Sequence, residues 1–138
     1  MMKPYLFFAS ALAFALTSCL GKSDMPEPVV YDDLNITSTT TPKEKPLGEI
    51  VTSKISCQLP NTCYSFSGFE VREIGNNNVE IRAKGRNTAK EGTTCAEVIV
   101  PVDTVLKFKP VITGKIILKF YNKDVHFKSD TIEIKTAS

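Results

Sequence analysis

Cysteine and histidine have the widest chemical repertoire of the side chains in this sequence, and both are scarce. The chain has four cysteines, Cys19, Cys57, Cys63 and Cys95, and a single histidine, His126. One histidine leaves little room for general-base chemistry, and a Cys-His nucleophile would have no identifiable orienting partner. Three cysteines with His126 would match the ligand count of zinc, but no Cys-x2-Cys pair is present. We therefore expect no catalytic residue, no metal and no cofactor.

A disulfide is the more plausible use of the three later cysteines if the chain is secreted, because secreted proteins meet an oxidising compartment. We favour Cys63 with Cys95, a bridge that closes a loop of about thirty residues and would stabilise the fold by roughly 3 to 4 kcal/mol. The alternatives are Cys57 with Cys63 and Cys57 with Cys95. The remaining thiol is expected to be buried and inert.

Two groups of side chains could bind a ligand. A basic cluster around Gly85 could contact an anionic glycan or a phosphate-rich lipid head group, with a solvated loop as the alternative; it comprises Arg82, Lys84, Arg86 and Lys90. Aromatic residues near Cys63 could stack on a sugar or fill the core; they are Tyr64, Phe66 and Phe69. With 17 basic and 15 acidic residues the chain is nearly neutral, so we expect no nucleic-acid partner.

The beginning of the chain has the order of a secretory signal. Lys3 is followed by the uncharged run Tyr5–Leu16. Because a membrane span needs roughly 18 to 20 apolar residues, this run is too short for a permanent transmembrane helix. We interpret residues 1–18 as a signal peptide that is removed.

The four residues Leu16-Thr17-Ser18-Cys19 resemble the lipobox of bacterial lipoprotein precursors. The resemblance implies that Cys19 is acylated through its sulfur and becomes the first residue of the mature chain. Two or more acyl chains hold a protein stably on a bilayer. Leu20 is not the aspartate that favours retention at the inner membrane in enterobacterial lipoproteins, so the resemblance implies a lipid-anchored protein of the cell envelope, at the outer membrane. An ordinary signal peptide followed by a coincidental cysteine is the alternative.

Residues 19–48 are predicted to form a disordered tether after the acylated cysteine. Four prolines and the polar run Thr37–Thr41 interrupt any helical or strand period. Such a composition buries too little apolar surface to offset the entropy of ordering. Short strands at 29–31 and 34–36 are the alternative for this segment.

Residues 49–138 have the period-two pattern of half-buried strands. In one run Ile116, Leu118 and Phe120 alternate with lysines. No long helical period competes, and the pattern predicts an all-β, antiparallel, immunoglobulin-like β-sandwich of about seven strands. The predicted strands are Glu49–Ser56, Ser67–Ile74, Val79–Lys84, Ala96–Val100, Thr104–Lys109, Lys115–Tyr121 and Thr131–Lys135.

The second and third predicted strands form a hairpin whose register can be derived from charge. The turn Gly75–Asn78 contains residues that tolerate positive φ. With Val71 opposite Ile81, Phe69 faces Ala83, and two opposite-charge pairs lie on the other face, Glu70 with Arg82 and Arg72 with Glu80. A slip of one residue would set core residues against charges.

The C-terminal segment "GKIILKFYNKDVHFKSDTIEIK" looks like the last two strands of small immunoglobulin-like domains in surface lipoproteins of the Bacteroidetes. That resemblance supports the fold and implies no activity. The sequence therefore predicts a non-enzymatic β-sandwich on the bacterial envelope, for binding a protein or glycan or for structural support. The alternative is an inhibitor of a hydrolase such as a lysozyme or protease, which would insert the loop Cys57–Phe66 into an active site.

Overall fold

The computed structural model describes residues 29–137, all of them in strands, turns or irregular segments. The predicted signal peptide, the lipobox and Cys19 lie outside the described residues. Within the described residues, nine strands follow one another: β1 (Tyr31–Asp33), β2 (Asn35–Thr40), β3 (Glu44–Pro46), β4 (Val51–Leu59), β5 (Tyr64–Gly75), β6 (Asn78–Asn87), β7 (Val100–Phe108), β8 (Gly114–Asn122) and β9 (Val125–Lys135).

These strands form two sheets. The larger sheet has the order β1-β6-β8-β9-β3, with β5 also paired to β6, and the smaller has the order β2-β4-β7. The prediction of an all-β sandwich is confirmed. The strand count is nine rather than about seven, and two pairs, β6 with β8 and β3 with β9, are parallel rather than antiparallel. The additional strands come from the segment before residue 49, which the predicted sandwich did not include.

The prediction of a disordered tether is wrong for the described part of that segment. β1 pairs with β6, β2 with β4 and β3 with β9. Leu34 and Ile36 are 2% and 1% exposed, so they belong to the core. The threonine run is compatible with a strand because β-branched residues suit a pleated surface, and the buried Thr39 hydroxyl donates to Asp130 at 2.8 Å. The domain therefore includes residues from about Tyr31 onward.

One predicted strand, Ala96–Val100, is also wrong. Residues 94–99 have no regular structure, and β7 begins at Val100. The segment is held at Ala96, which accepts a hydrogen bond from the Thr62 backbone at 3.2 Å and donates one to the Thr62 hydroxyl at 3.0 Å. Val98 and Ile99 are consequently left more than half exposed.

The predicted hairpin register is confirmed at all four pairs, including Val71 opposite Ile81. Gly75, Asn76 and Asn77 all have positive φ in the connecting turn. The ion pairs differ from the prediction, because Glu70 reaches Lys84 at 3.1 Å instead of Arg82. Diagonal neighbours on a sheet lie within reach of long side chains, so a matched register does not determine which charges meet.

The core lies between the sheets and is built from strands of both. Its largest fully buried side chains include Phe120 from β8, Ile132 from β9 and Ile55 from β4. One polar cluster is enclosed with them. The carboxylate of Asp130, 9% exposed, accepts from Thr39 and from Thr41, and Thr41 is also hydrogen bonded to the fully buried Ser53. This cluster joins β2, β4 and β9 across the two sheets.

Candidate binding groove

The structure brings Cys63 and Cys95 together in a disulfide, as favoured from the sequence. The bridge joins the connection before β5 to the irregular segment before β7. Cys57 is free and 1% exposed, in the inward row of β4. Burial, with a smaller contribution from the Asp103 carboxylate, raises the pKa of the Cys57 thiol. A neutral thiol without access to solvent is a poor nucleophile.

The segment Cys57–Phe66, which was considered as an inhibitory loop, consists largely of strand. Cys57 lies in β4 and Tyr64 and Phe66 lie in β5, so only residues 60–63 connect the two strands. The Tyr64 hydroxyl donates to Asp32, and that hydrogen bond raises the pKa of Tyr64. Phe66 packs edge to face on Phe69, with ring centroids 5.1 Å apart, and both rings contact the core. The aromatic residues thus have packing roles in this structure.

Most of the predicted basic cluster lies in a strand rather than in a loop, because Arg82, Lys84 and Arg86 lie on one face of β6. Arg82 pairs with Glu80 at 3.2 Å and lies over the Tyr121 ring, 4.8 Å from its centroid. Lys84 contacts Asp33 and Glu70, and the Asp33 hydrogen bond raises the pKa of Lys84.

Among these three cations only Arg86 is exposed without an ion pair within the described residues. Neighbouring carboxylates neutralise the other two, so the face does not present a concentrated positive charge.

An apolar opening lies at the other end of β6. It has a volume of about 460 Å³ and is bounded by β5, β6 and β8 of the larger sheet and by β7 of the smaller one. Its floor and walls are mostly aliphatic or aromatic: Val71, Val79, Ile81, Leu106, Phe108, Ile116 and Leu118. We refer to this opening as the apolar groove.

The groove exists because the two sheets differ in width. The smaller sheet ends at β7, whereas the larger sheet continues from β6 to β5. With no described strand beyond β7, the inward side chains of Leu106 and Phe108 pack against the core and are only partly buried. The smaller sheet therefore leaves part of the inner face of its neighbour uncovered.

The rim of the groove combines exposed apolar and basic residues. The connection from β7 to β8 carries Val111, 85% exposed, and Ile112, 49% exposed. Lys107 and Lys109 lie beside it, and neither has a carboxylate within 4.0 Å among the described residues. Glu73 of β5 is the acidic residue among those lining the groove.

Sequence reasoning did not identify this groove. The predicted strands end at Lys109 and resume at Lys115, and in the structure β8 already begins at Gly114. The available signal was the pair Val111-Ile112 inside a connection bounded by Pro110 and Gly114, because two adjacent β-branched apolar residues are unusual in a solvated turn. That Leu106, Val71 and Ile116 meet beside this turn depends on the packing of the sheets.

The chain matches the family described as the ORF11 beta-sandwich domain over residues 53–134, which is more than half of its length. No curated protein and no solved structure matches it. Within residues 29–137 no helix is long and apolar enough to cross a bilayer. In the same part of the chain, no three side chains of the His, Cys, Asp and Glu types are grouped so that they could hold a metal ion.

Proposed function

The chain belongs to the ORF11 beta-sandwich domain family, and from that fold we propose that it is a lipid-anchored, non-enzymatic binding module of the bacterial envelope whose binding site is the apolar groove. The proposal for the anchor depends on sequence: an uncharged leader after Lys3 and the lipobox-like residues Leu16 to Cys19. The proposal for binding depends on the exposed apolar rim. The outer membrane is the proposed location, as Leu20 indicates.

The observation that carries the binding role is the exposure of Val111 and Ile112 beside an apolar groove. Monomeric proteins rarely keep large contiguous apolar patches in water, and such patches mark interaction sites. Ligand sites are concave, mostly apolar and commonly about 300 to 1,000 Å³ in volume. The groove, at about 460 Å³, lies within that range.

The position of the groove is consistent with a role in binding away from the anchor. The chain enters the fold beside the end of β6, where the Asn87 amide donates to the Val30 carbonyl at 3.0 Å. The groove lies at the beginning of β6, near Asn78. At about 3.3 Å per residue, the ten residues of β6 separate the two ends by roughly 30 Å. An acyl group on Cys19 would therefore be joined to the end of β6 that is remote from the groove.

The binding role can be tested with two matched variants of the full chain in its native cells. Val111→Asp with Ile112→Asp changes the rim of the groove, whereas Val98→Asp with Ile99→Asp changes a second Val-Ile pair, 58% and 59% exposed, that does not line it. Photo-crosslinking from Thr113 should capture an envelope component from the wild type and the Val98 and Ile99 variant, and not from the Val111 and Ile112 variant. Equal capture by all three would refute the groove as the binding site.

The anchor has a separate test. Cells grown with a labelled fatty acid should incorporate the label into the wild type, and Cys19→Ser should abolish incorporation and release the chain from the membrane fraction. Cys57→Ser is the control, since a buried thiol cannot be an acylation site. A wild-type chain that stays unlabelled and fractionates with water-soluble proteins would refute the anchor without bearing on the groove.

A further inference from the structure

The outer edge of β7 has no partner strand within the described residues, and it lies next to the apolar groove. β7 pairs with β4 over nine residues, and within residues 29–137 no strand pairs with its other side. An open edge presents alternate backbone N–H and C=O groups that a further strand can use. The alternation along β7 is regular, with Leu106 and Phe108 facing inward and Val105 and Lys107 facing outward.

We propose that the β7 edge and the apolar groove together bind an extended polypeptide segment of a partner protein, which becomes the fourth strand of the β2-β4-β7 sheet. This proposal deepens the proposed function and depends on the groove being a binding site. In this mode, backbone hydrogen bonds to the edge strand give affinity, and pockets for alternate side chains give specificity.

The groove determines the inward side chains of the added strand. A strand next to β7 directs every second residue toward the larger sheet, where the exposed Val71 and the half-buried Val79 line the groove. A cavity of about 150 Å³ lined by apolar residues accepts a benzene-sized group. The groove has about three times that volume, so it can hold about three apolar side chains.

The outward face of β7 determines the other side chains. Lys107 and Lys109 lie on that face with no carboxylate within 4.0 Å among the described residues. Opposite charges on directly facing residues of neighbouring strands attract. Lysines on an open edge also repel basic strands and disfavour neutral ones, so they select as well as attract. The segment that fits best therefore alternates apolar with acidic residues.

The acidic side chains near the groove limit where that segment can lie. Asp103 is on the same outward face of β7 and is held by the Ser56 hydroxyl at 2.7 Å, and Glu73 lines the groove from β5. Acidic residues of the added strand therefore belong opposite Val105 to Phe108 of β7 and the Lys109 that follows it. A second copy of β7 is a poorer occupant, because pairing centred on Val105 would place the polar Thr104 beside Leu106 at the groove.

The test uses the full chain in phospholipid nanodiscs and fluorescent peptides whose binding is followed by anisotropy, with empty nanodiscs as the control. The first peptide alternates glutamate with valine over seven residues. The second has the same composition with its glutamates and valines in separate blocks, and the third replaces each glutamate with lysine. We expect the alternating acidic peptide to bind at least tenfold more tightly than either of the others.

The charge requirement is tested by reversal. Lys107→Glu with Lys109→Glu should lower the affinity for the alternating acidic peptide at least tenfold and should raise the affinity for the lysine peptide. Lys43→Glu with Lys119→Glu is the matched control, since these lysines lie outside the groove lining and outside the β2-β4-β7 sheet, and it should change neither affinity more than twofold. If both double variants weaken binding of the acidic peptide equally, the effect is one of net charge, and the proposal is overturned.

The backbone requirement has its own test. Two versions of the acidic peptide carry N-methyl groups, one on its valines and the other on its glutamates. Because alternate residues of a strand hydrogen bond to one neighbour, one version should lose at least tenfold in affinity and the other should keep most of it. Equal binding of both versions would overturn strand addition.

Two further outcomes also overturn the proposal. The chain could instead self-associate, prevent peptide binding, and become free to bind again in the Lys107→Glu variant. That result would assign the β7 edge to a second copy of the chain. If the peptides bind empty nanodiscs with the same affinity, the binding is to the lipid. If every peptide fails while crosslinking from Thr113 still depends on Val111 and Ile112, only the strand proposal is lost; if both fail, the proposed function is lost too.

Discussion

Substituting Gly85 with alanine tests whether the N-terminal segment is part of the fold. Gly85 is a buried residue of β6 that pairs with Asp32 of β1 and Phe66 of β5. Its φ lies outside the positive range, so alanine brings no backbone strain. A Cβ atom at this position would lie 2.5 Å from Cδ2 of Leu34 and 3.1 Å from its Cγ. Carbon atoms in contact are normally about 3.5 to 4.0 Å apart.

The expected loss follows from two opposing effects. Leu34 is 2% exposed, so its side chain has little free space into which to move. Inserting an extra methyl group into a packed core typically costs about 1 to 3 kcal/mol. Replacing glycine by alanine in a strand returns roughly 0.5 to 1 kcal/mol, because the unfolded chain loses freedom. We expect Gly85→Ala to lower the free energy of unfolding by about 1 to 2 kcal/mol.

Urea denaturation followed by circular dichroism measures this change. Leu34→Ala alone should cost about 2 to 5 kcal/mol, and the double variant should cost less than the sum of the two single variants, because the truncated residue no longer meets the new methyl group. Val125→Ala is the control: Val125 is 68% exposed, and the change should stay within about 0.5 kcal/mol. A Gly85→Ala variant as stable as the wild type, with additive double-variant energies, would refute the packing of Leu34 on β6.

Four further predictions concern the cysteines and the buried carboxylate. Reducing the Cys63–Cys95 bridge, or replacing both cysteines with serine, should lower the free energy of unfolding by about 3.5 to 4 kcal/mol, because the sequence separation is 32. Urea denaturation with and without reductant measures this loss. An unchanged stability on reduction would contradict the bridge. Cys57 should resist an alkylating reagent until the chain unfolds. Because burial raises its pKa, the unfolded chain releases the thiol proton at lower pH, so raising the pH above about 8.5 should destabilise the wild type more than Cys57→Ala; parallel stability curves for the two chains would contradict this reasoning. Asp130→Ala removes the acceptor of the Thr39 and Thr41 hydroxyls and should lower the melting temperature, at a cost of about 2 to 4 kcal/mol, whereas the outward Asp124→Ala should have little effect.

Local pattern located part of each strand from β4 onward and the register of the hairpin, but it also predicted a strand at Ala96–Val100, where residues 96–99 are irregular. Alternation along Lys115–Tyr121 and Thr131–Lys135 placed Phe120 and Ile132 in the core, because a period of two in side-chain direction is a property of the strand itself. The hairpin register followed from the apolar and charged faces of two adjacent strands. The Cys63–Cys95 pairing was favoured from loop length, but the residues alone left three pairings open.

The segment before residue 49 shows where local pattern fails. Leu34 and Ile36 are isolated apolar residues among prolines and threonines, and no period marks them as core. They are buried because β6 and β4 have free edges where β1 and β2 can pair, and because Gly85 leaves space for Leu34. The neutralisation of Lys84 depends equally on tertiary structure, because its partner Asp33 comes from β1. Arg82 also reaches Asp33, at 4.0 Å, but its nearer partner is Glu80 of β6 itself.

The sequence by itself determined an all-β, strand-forming body with a matched hairpin, since each of these depends on neighbouring residues or on one tight turn. The leader and the lipobox-like cysteine stay predictions. The tertiary structure decided where the sandwich exposes an apolar groove. The groove depends on sheets of unequal width, with β7 ending one sheet and β5 extending the other, and the number of strands in each sheet results from long-range pairing. Residues 35 or more positions apart, such as Val71 and Leu106, meet at the groove for that reason alone.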